Sequence, residues 1–284
     1  MLAEIGIGWE LAVRTMTRRT WIEGAGAGIA ACALAPILSR SALAAPQHAV
    51  HGLGGSPGWL VVIPAGNFLM GTTPQQACEL ALAHGYHTTW LDGEVPQRVV
   101  HLPAYAIGKF PVTNLEYAAF CAATGHPPPP HWEAGRPPRA QLRHPVIQVN
   151  RSDAQDFAAW LGLRLPTEAE WEKAARGPYG RTFPWGDAFD PAACRWNDDP
   201  LTPGPGTAPV DAHPGGASPY GVLDMVGNVG EWCADGPSSA TAYVKGGAWV
   251  SSQVVNLRPA ARNMSRTKTN VETFVGFRCV MDLA

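Results

Sequence analysis

Glycine and proline set the terms on which this chain can fold. The sequence holds 31 Gly and 27 Pro in 284 residues. Past Gly177 they recur so often, among tryptophans and short β-like pieces, that many turns and few long regular elements are expected there. Regular structure is better signalled before that point. Gly58-Trp-Leu-Val-Val-Ile-Pro-Ala-Gly-Asn-Phe-Leu-Met-Gly71 reads as strand, turn and strand, and residues 72–96 read as an excursion. Three capping boxes, Thr113-Asn-Leu-Glu116, Ser152-Asp-Ala-Gln155 and Thr167-Glu-Ala-Glu170, each predict a helix start, because the two side chains reciprocally satisfy orphan amides. Leu115, Ala119 and Phe120 form the inward face of the first helix, Phe157, Trp160 and Leu161 that of the second, and Trp171, Ala174 and Ala175 that of the third. Pro127 to Pro130 and Gly177 end the first and third helices. No internal repeat is present, and the expected class is a loop-rich α+β fold.

Met16-Thr-Arg-Arg-Thr-Trp-Ile-Glu23 precedes a mildly apolar, Gly/Ala-rich run from Gly24 to Leu38, and Ala42-Leu-Ala44 supplies the small residues a signal peptidase accepts. This predicts a twin-arginine export signal with an upstream extension over residues 1–44, a linker over 45–57 and one domain over 58–284, in the periplasm. A stable membrane anchor needs about 20 strongly apolar residues; this run is shorter and carries Gly24, Gly26 and Gly28. The exported part, roughly 240 residues, is long enough for a substantial core. It is mildly acidic, which argues against a nucleic-acid partner. Cys78, Cys121, Cys194, Cys233 and Cys279 remain after the cut, an odd count whose pairing the spacing does not reveal, and the absence of a CxxC pair argues against zinc or a reactive dithiol.

Ile63-Pro-Ala-Gly-Asn-Phe-Leu-Met-Gly71, Phe110-Pro-Val-Thr-Asn-Leu-Glu-Tyr117, His144-Pro-Val146, Arg164-Leu-Pro-Thr-Glu-Ala-Glu-Trp-Glu172, Phe183-Pro-Trp-Gly186, Thr207-Ala-Pro-Val210, Tyr220-Gly-Val-Leu-Asp-Met-Val-Gly-Asn-Val229 and Gly276-Phe-Arg278 stand in this order along the chain. Together they resemble the sulfatase-modifying-factor domain of formylglycine-generating enzymes over nearly the whole exported part. The resemblance implies an irregular α+β variant of the C-type-lectin fold. It also implies a calcium site made by the side chains of Asp224 and Glu231 and the carbonyls of Gly227 and Val229, all oxygen donors as a hard cation requires. A loop pinned by the two carboxylates without metal is the alternative. A second calcium site of the family would begin at Asn197 and Asp198, in a loop that is shortened here.

The departures bear on chemistry. Family members carry two cysteines in the loop after Lys245-Gly-Gly, and here those positions are Ser251 and Asn256. A thiolate is a soft ligand and a redox nucleophile, whereas a hydroxyl and an amide supply only hydrogen bonds near neutral pH. Ala248 replaces the usual serine, and Gly230 replaces the tryptophan before the ligand glutamate, which opens space. The helix cysteines of the family are Ala158 and Ala175 here, so Cys279 lacks its usual partner. The candidate pocket therefore comprises Gly230, Trp249, Ser251, Ser252, Asn256, Arg258 and Arg262, the arginines serving a carboxylate or phenolate or else scaffold ion pairs. Glu168, Glu170 and Glu172 read as scaffold carboxylates, and His84 and His87 as loop residues or a weak metal pair.

Whole-chain resemblance implies a periplasmic siderophore-tailoring oxidoreductase that oxidises dihydropyoverdine to the mature chromophore, its partner being a small or peptidic siderophore precursor. A noncatalytic lectin-like accessory protein is the alternative, and another oxidative or hydroxylating enzyme a third. The sequence offers no GxGxxG, haem motif or copper-binding cysteine pair, so no organic cofactor is evident and dioxygen is the expected electron acceptor.

Overall fold

The computed structural model describes residues 59–262 and 265–283; the expected export signal (1–44) and linker (45–57) lie outside the described residues. Three small sheets carry the unit from Leu60 onward. β1 (Leu60–Ile63), β4 (Tyr105–Gly108) and β9 (Val280–Asp282) form an antiparallel sheet that joins the two ends of the domain. β2 (Gly66–Met70) pairs with β3 (Arg98–Leu102). The third sheet runs in the order β7 (Ser265–Thr267), β6 (Thr241–Lys245), β5 (Gly230–Trp232) and β8 (Val275–Gly276), with β5 and β8 parallel. The result is the loop-rich α+β architecture expected from the glycine and proline content.

Among the described residues four α-helices accompany these sheets: α1 (Pro74–His84), α2 (Asn114–Thr124), α3 (Arg151–Trp160) and α4 (Glu168–Arg176). The boxes at Thr113 and Thr167 form as read. The start of α3 differs. Its cap is Asn150, whose side chain accepts from the Asp153 amide while Asp153 reaches back, and Ser152 lies one residue inside the helix. The excursion also holds more order than expected. A Thr73/Gln76 capping box with proline at the first helical position starts α1, and a 3₁₀ segment follows at Thr88–Glu94. The helix that follows carries only a weak apolar stripe, so periodicity does not mark this start.

The central helix is α4. Trp171, Ala174 and Ala175 are fully buried, packed with Ile63, Tyr105, Ile107, Val222, Met225 and Val280. Burying side chains of this size contributes roughly 1.5–3 kcal/mol each for the larger ones. A second apolar layer stacks Tyr117 of α2 against Phe157 of α3, their rings 5.8 Å apart, with Phe277 edge-on to both.

The charged face of α4 is buried too, which periodicity could not show. Glu172 accepts from Arg176 at 2.8 Å and from the Gly71 amide at 2.7 Å, and Lys245 reaches Glu172 at 3.3 Å and Glu168 at 3.2 Å. Lys245 and Arg176 hold the Glu172 carboxyl below its ordinary value against the opposing pull of burial. Gly71 stands at φ +83°, and a Cβ there would meet the Glu94 carbonyl at 2.4 Å, so only glycine lets the excursion dock here. Glu94 then pairs side-on with Arg258, 2.8 and 2.5 Å apart, and accepts from the Thr72 hydroxyl at 2.6 Å.

Breaking that buried pair from one side strands a charge. Glu94→Ala is expected to lower unfolding free energy by about 3–5 kcal/mol in urea titrations. Glu94→Met combined with Arg258→Met should recover most of the loss, because both charges then leave together. A double variant no better than the single one would contradict this account of the clamp.

Candidate functional site

The loop from Gly246 to Arg262 is built by close backbone approach. Gly247 has φ +69°, and a Cβ on it would lie 2.7 Å from the Asn256 carbonyl. Ser251 closes the next turn, its amide donating to the Ala248 carbonyl at 2.9 Å and its hydroxyl accepting from the Ala248 amide at 3.1 Å. The residue that replaces a thiol thus completes a turn through its hydroxyl. The Ser251 carbonyl in turn accepts from the Asn197 amide at 3.1 Å.

Two of the expected pocket residues meet in one cavity. Asn256 and Arg262 face Thr89, Trp90 and Gly93 of the excursion across a space of about 410 Å³, completed by Gln253. Arg262 is fixed on three sides: Nε donates to Glu168 at 2.5 Å, Nη1 to the Gly93 carbonyl at 3.0 Å, and the guanidinium lies 5.6 Å from the Tyr243 ring. Arg258 belongs elsewhere. It is buried in the Glu94 clamp and borders a separate cavity of about 640 Å³ between α1 and residues 176–187.

The other expected residues do not line the cavity at Asn256. Gly230 is buried in β5, its amide donating to Phe274 at 2.8 Å, and it pairs with Val275 across the sheet. Trp249 is half-buried, with its indole nitrogen donating to the Thr273 carbonyl at 3.2 Å, and Ser252 is exposed. The vacancy expected beside Gly230 and the loop cavity are therefore separate places. Nothing in the sequence placed the excursion opposite the loop; that contact runs through Gly93 and Glu94, which are distant in the chain.

Glu168, Glu170 and Glu172 take scaffold roles. Glu170 pairs with Arg164 at 2.7 Å while capping α4, and hydrogen bonds from Arg164 and the Thr167 amide hold its carboxyl low despite burial. His84 stacks on Tyr86, and His87 Nδ1 lies 2.9 Å from the Thr89 hydroxyl. Among the described residues no group of three or more His, Cys, Asp or Glu side chains could hold a metal ion. All five described cysteines are unpaired; burial pushes the Cys194, Cys233 and Cys279 thiols far up and Cys121 to about 12.

The proposed calcium ligands occupy one buried turn. Burial raises the Asp224 carboxyl to about 7, relieved in part by Asn228 and Arg278. Its side-chain contact from Asn228 is long, at 3.3 Å. Such a donor-poor buried carboxylate suits a cation. Glu231 is more committed: Arg278 donates to both of its oxygens at 2.6 and 2.7 Å, and Trp171 donates at 2.8 Å. The turn at Gly227 and Val229 is buried between them. Of the two expected carboxylate ligands, Asp224 has acceptor capacity left for a cation, whereas both Glu231 oxygens are already engaged by Arg278 and Trp171. At the second site Asn197 and Asp198 are exposed, hydrogen-bonded to each other at 2.8 Å. The buried carboxylate of that loop is Asp199, occupied by His213 at 2.9 Å and by the Leu201 amide at 2.8 Å.

Comparison with known proteins places this arrangement. The sulfatase-modifying factor enzyme 1-like domain family matches residues 54–283. The formylglycine-generating enzyme of Thermomonospora curvata is 32% identical over 300 residues, covering 78% of this chain and 93% of that protein. The hercynine oxygenase of Mycolicibacterium smegmatis is 32% identical over 283 residues, 81% of this chain but 62% of that longer protein. Among solved structures, PvdO from Pseudomonas aeruginosa superposes with a TM-score of 0.63 at 26% identity, covering 79% of this chain and 94% of that one. Sequence, fold and site motifs agree: this chain belongs to the sulfatase-modifying factor enzyme 1-like domain family.

Proposed function

We propose that the chain is a periplasmic siderophore-tailoring oxidoreductase that oxidises dihydropyoverdine to the pyoverdine chromophore, with the loop cavity at Asn256 and Arg262 as its site. The observation that carries the reading is the exchange of both loop thiols for Ser251 and Asn256 within an otherwise intact family scaffold. It removes the soft-metal chemistry while leaving a formed cavity. The likeness to PvdO over nearly that whole chain supports the substrate class, and the family's inclusion of a hercynine oxygenase supports oxidative chemistry.

The reaction balances with dioxygen as acceptor. The dihydro ring loses two electrons and two protons, one C–H and one N–H or C–H bond breaking as a ring double bond forms, and dioxygen is reduced to hydrogen peroxide. Arg262 would stabilise a phenolate on the catechol, the form that yields electrons most readily, and the protein's part is orientation and charge. The cavity lining brings amide, hydroxyl and guanidinium groups to the substrate, with Glu168 held behind Arg262. A noncatalytic binding protein of the same fold is the second reading, favoured by the absence of a carboxylate or imidazole from that lining.

Incubating the purified chain with dihydropyoverdine under air should produce the chromophore absorbance with matching peroxide, and none under argon. A chromophore yield equal to that of the enzyme-free control would favour the binding reading. With a Cys-containing sulfatase peptide, mass spectrometry should find no formylglycine with or without added copper, since Ser251 and Asn256 cannot form a thiolate pair.

Calcium is proposed as a structural ion in the Asp224 turn. Added at about a hundredfold excess over Kd, it should stabilise the fold by about 2.7 kcal/mol. Asp224→Ala should abolish that gain in thermal melts, and an undiminished calcium response in this variant would move the ion elsewhere.

A further inference from the structure

The excursion carries an aromatic ladder that the family motifs do not include. His84, Tyr86 and Trp90 stack in sequence, with centroids 5.8 and 5.5 Å apart and interplanar angles of 22° and 10°. Trp90 is 47% exposed, and it lines the cavity shared with Asn256 and Arg262. An indole left open to this degree at the mouth of a cavity is an unfilled contact surface, since large aromatics gain most from burial.

The ladder is held before any ligand arrives. Tyr86 packs against Ala77, Ala81 and Leu91 of the excursion and against Val255 of the altered loop. The Gly93 carbonyl is bound by Arg262 Nη1, and a Cβ on Gly93 would already meet Arg262 Cβ at 3.1 Å, so the two walls are in close contact. One donor remains. Arg262 Nε and Nη1 have acceptors, whereas Nη2 has none among the described residues.

We propose that the cavity between Trp90 and Arg262 binds a planar, electron-rich aromatic ring bearing an acidic oxygen, the ring stacked on Trp90 and the oxygen received by Arg262 Nη2. The assignment deepens the functional reading of the same cavity and rests on it. A flat ring adds a fourth layer to the ladder, and a phenolate or carboxylate supplies a charge-assisted acceptor at Nη2, beside the Glu168 carboxylate already bound at Nε. A sugar ring can also lie on an indole, but a neutral sugar brings no anion to Nη2.

The test is equilibrium binding under argon, so that no turnover intrudes. The full chain is titrated with a dihydroxyquinoline, and the anisotropy of the probe's own fluorescence is followed. Trp90→Ala should weaken binding about tenfold, as expected for a lost aromatic stack, and Trp90→Phe should stay within about threefold of the unaltered protein. A dimethoxyquinoline, which keeps the ring and loses the acidic oxygens, should bind about tenfold more weakly or worse. Trp90 is at the surface, so unchanged thermal melts would show that Trp90→Ala folds. Undiminished affinity in that variant would overturn the proposal. So would equal affinity for the dimethoxy probe, or displacement of the ring by a neutral glucoside at matching concentration. Binding with these preferences, together with no chromophore from dihydropyoverdine in air, would remove the enzymatic reading and leave the site standing.

Discussion

The fold depends on one buried guanidinium. Arg278 has no exposed side-chain surface, and it donates to both oxygens of Glu231, to the carbonyl of Gly108 at 2.9 Å, and to those of Leu223 and Asp224 at 2.9 and 3.1 Å. A charge this deep is tolerable only when its donors are matched, and the planar fork of arginine reaches several acceptors at once where lysine would be a point charge. Through it, the end of β4, the turn before β5 and β5 itself take fixed positions. The sheet that joins the chain ends and the sheet that supports the altered loop are thereby referenced to a common centre.

A second chain of alternating charges runs along α4. Arg176, Glu172, Lys245, Glu168 and Arg262 follow one another by direct contact, and Arg262 is the member that emerges at the cavity. Beside it Arg258 and Glu94 clamp the excursion. Each ion pair offsets a desolvation cost that apolar residues would not incur. Their yield is placement: the loop that lost its thiols is held by ionic contacts that do not involve positions 251 and 256. This explains how the cysteines could be exchanged without loosening the scaffold.

Much of the architecture was legible because it is written locally. The capping boxes at Thr113 and Thr167, the apolar faces of α2 and α4, and the strand–turn–strand start need only neighbours in sequence. At α3 two overlapping cap patterns competed, and the extended backbone at Asn150, rather than Ser152, decided the start. The candidate cavity was half legible. Asn256 and Arg262 lie in the altered loop that motif comparison singles out, but Thr89, Trp90 and Gly93 arrive from a segment more than 160 residues away, as the Glu94 to Arg258 separation of 164 shows. No periodicity encodes such a contact. Gly230 lies apart from that cavity, since a missing side chain marks a change in volume without saying which side of the sheet inherits it.

The unpaired thiols carry a consequence for the life history of the molecule. A fold secured by carbonyl-bound arginines and buried ion pairs needs no oxidant to reach its final topology, and none of its five described cysteines has a covalent duty to fulfil. Maturation of the chain is therefore separable from the redox state of the space in which it occurs. Nothing in the bonding of the described residues has to change between reducing and oxidising surroundings.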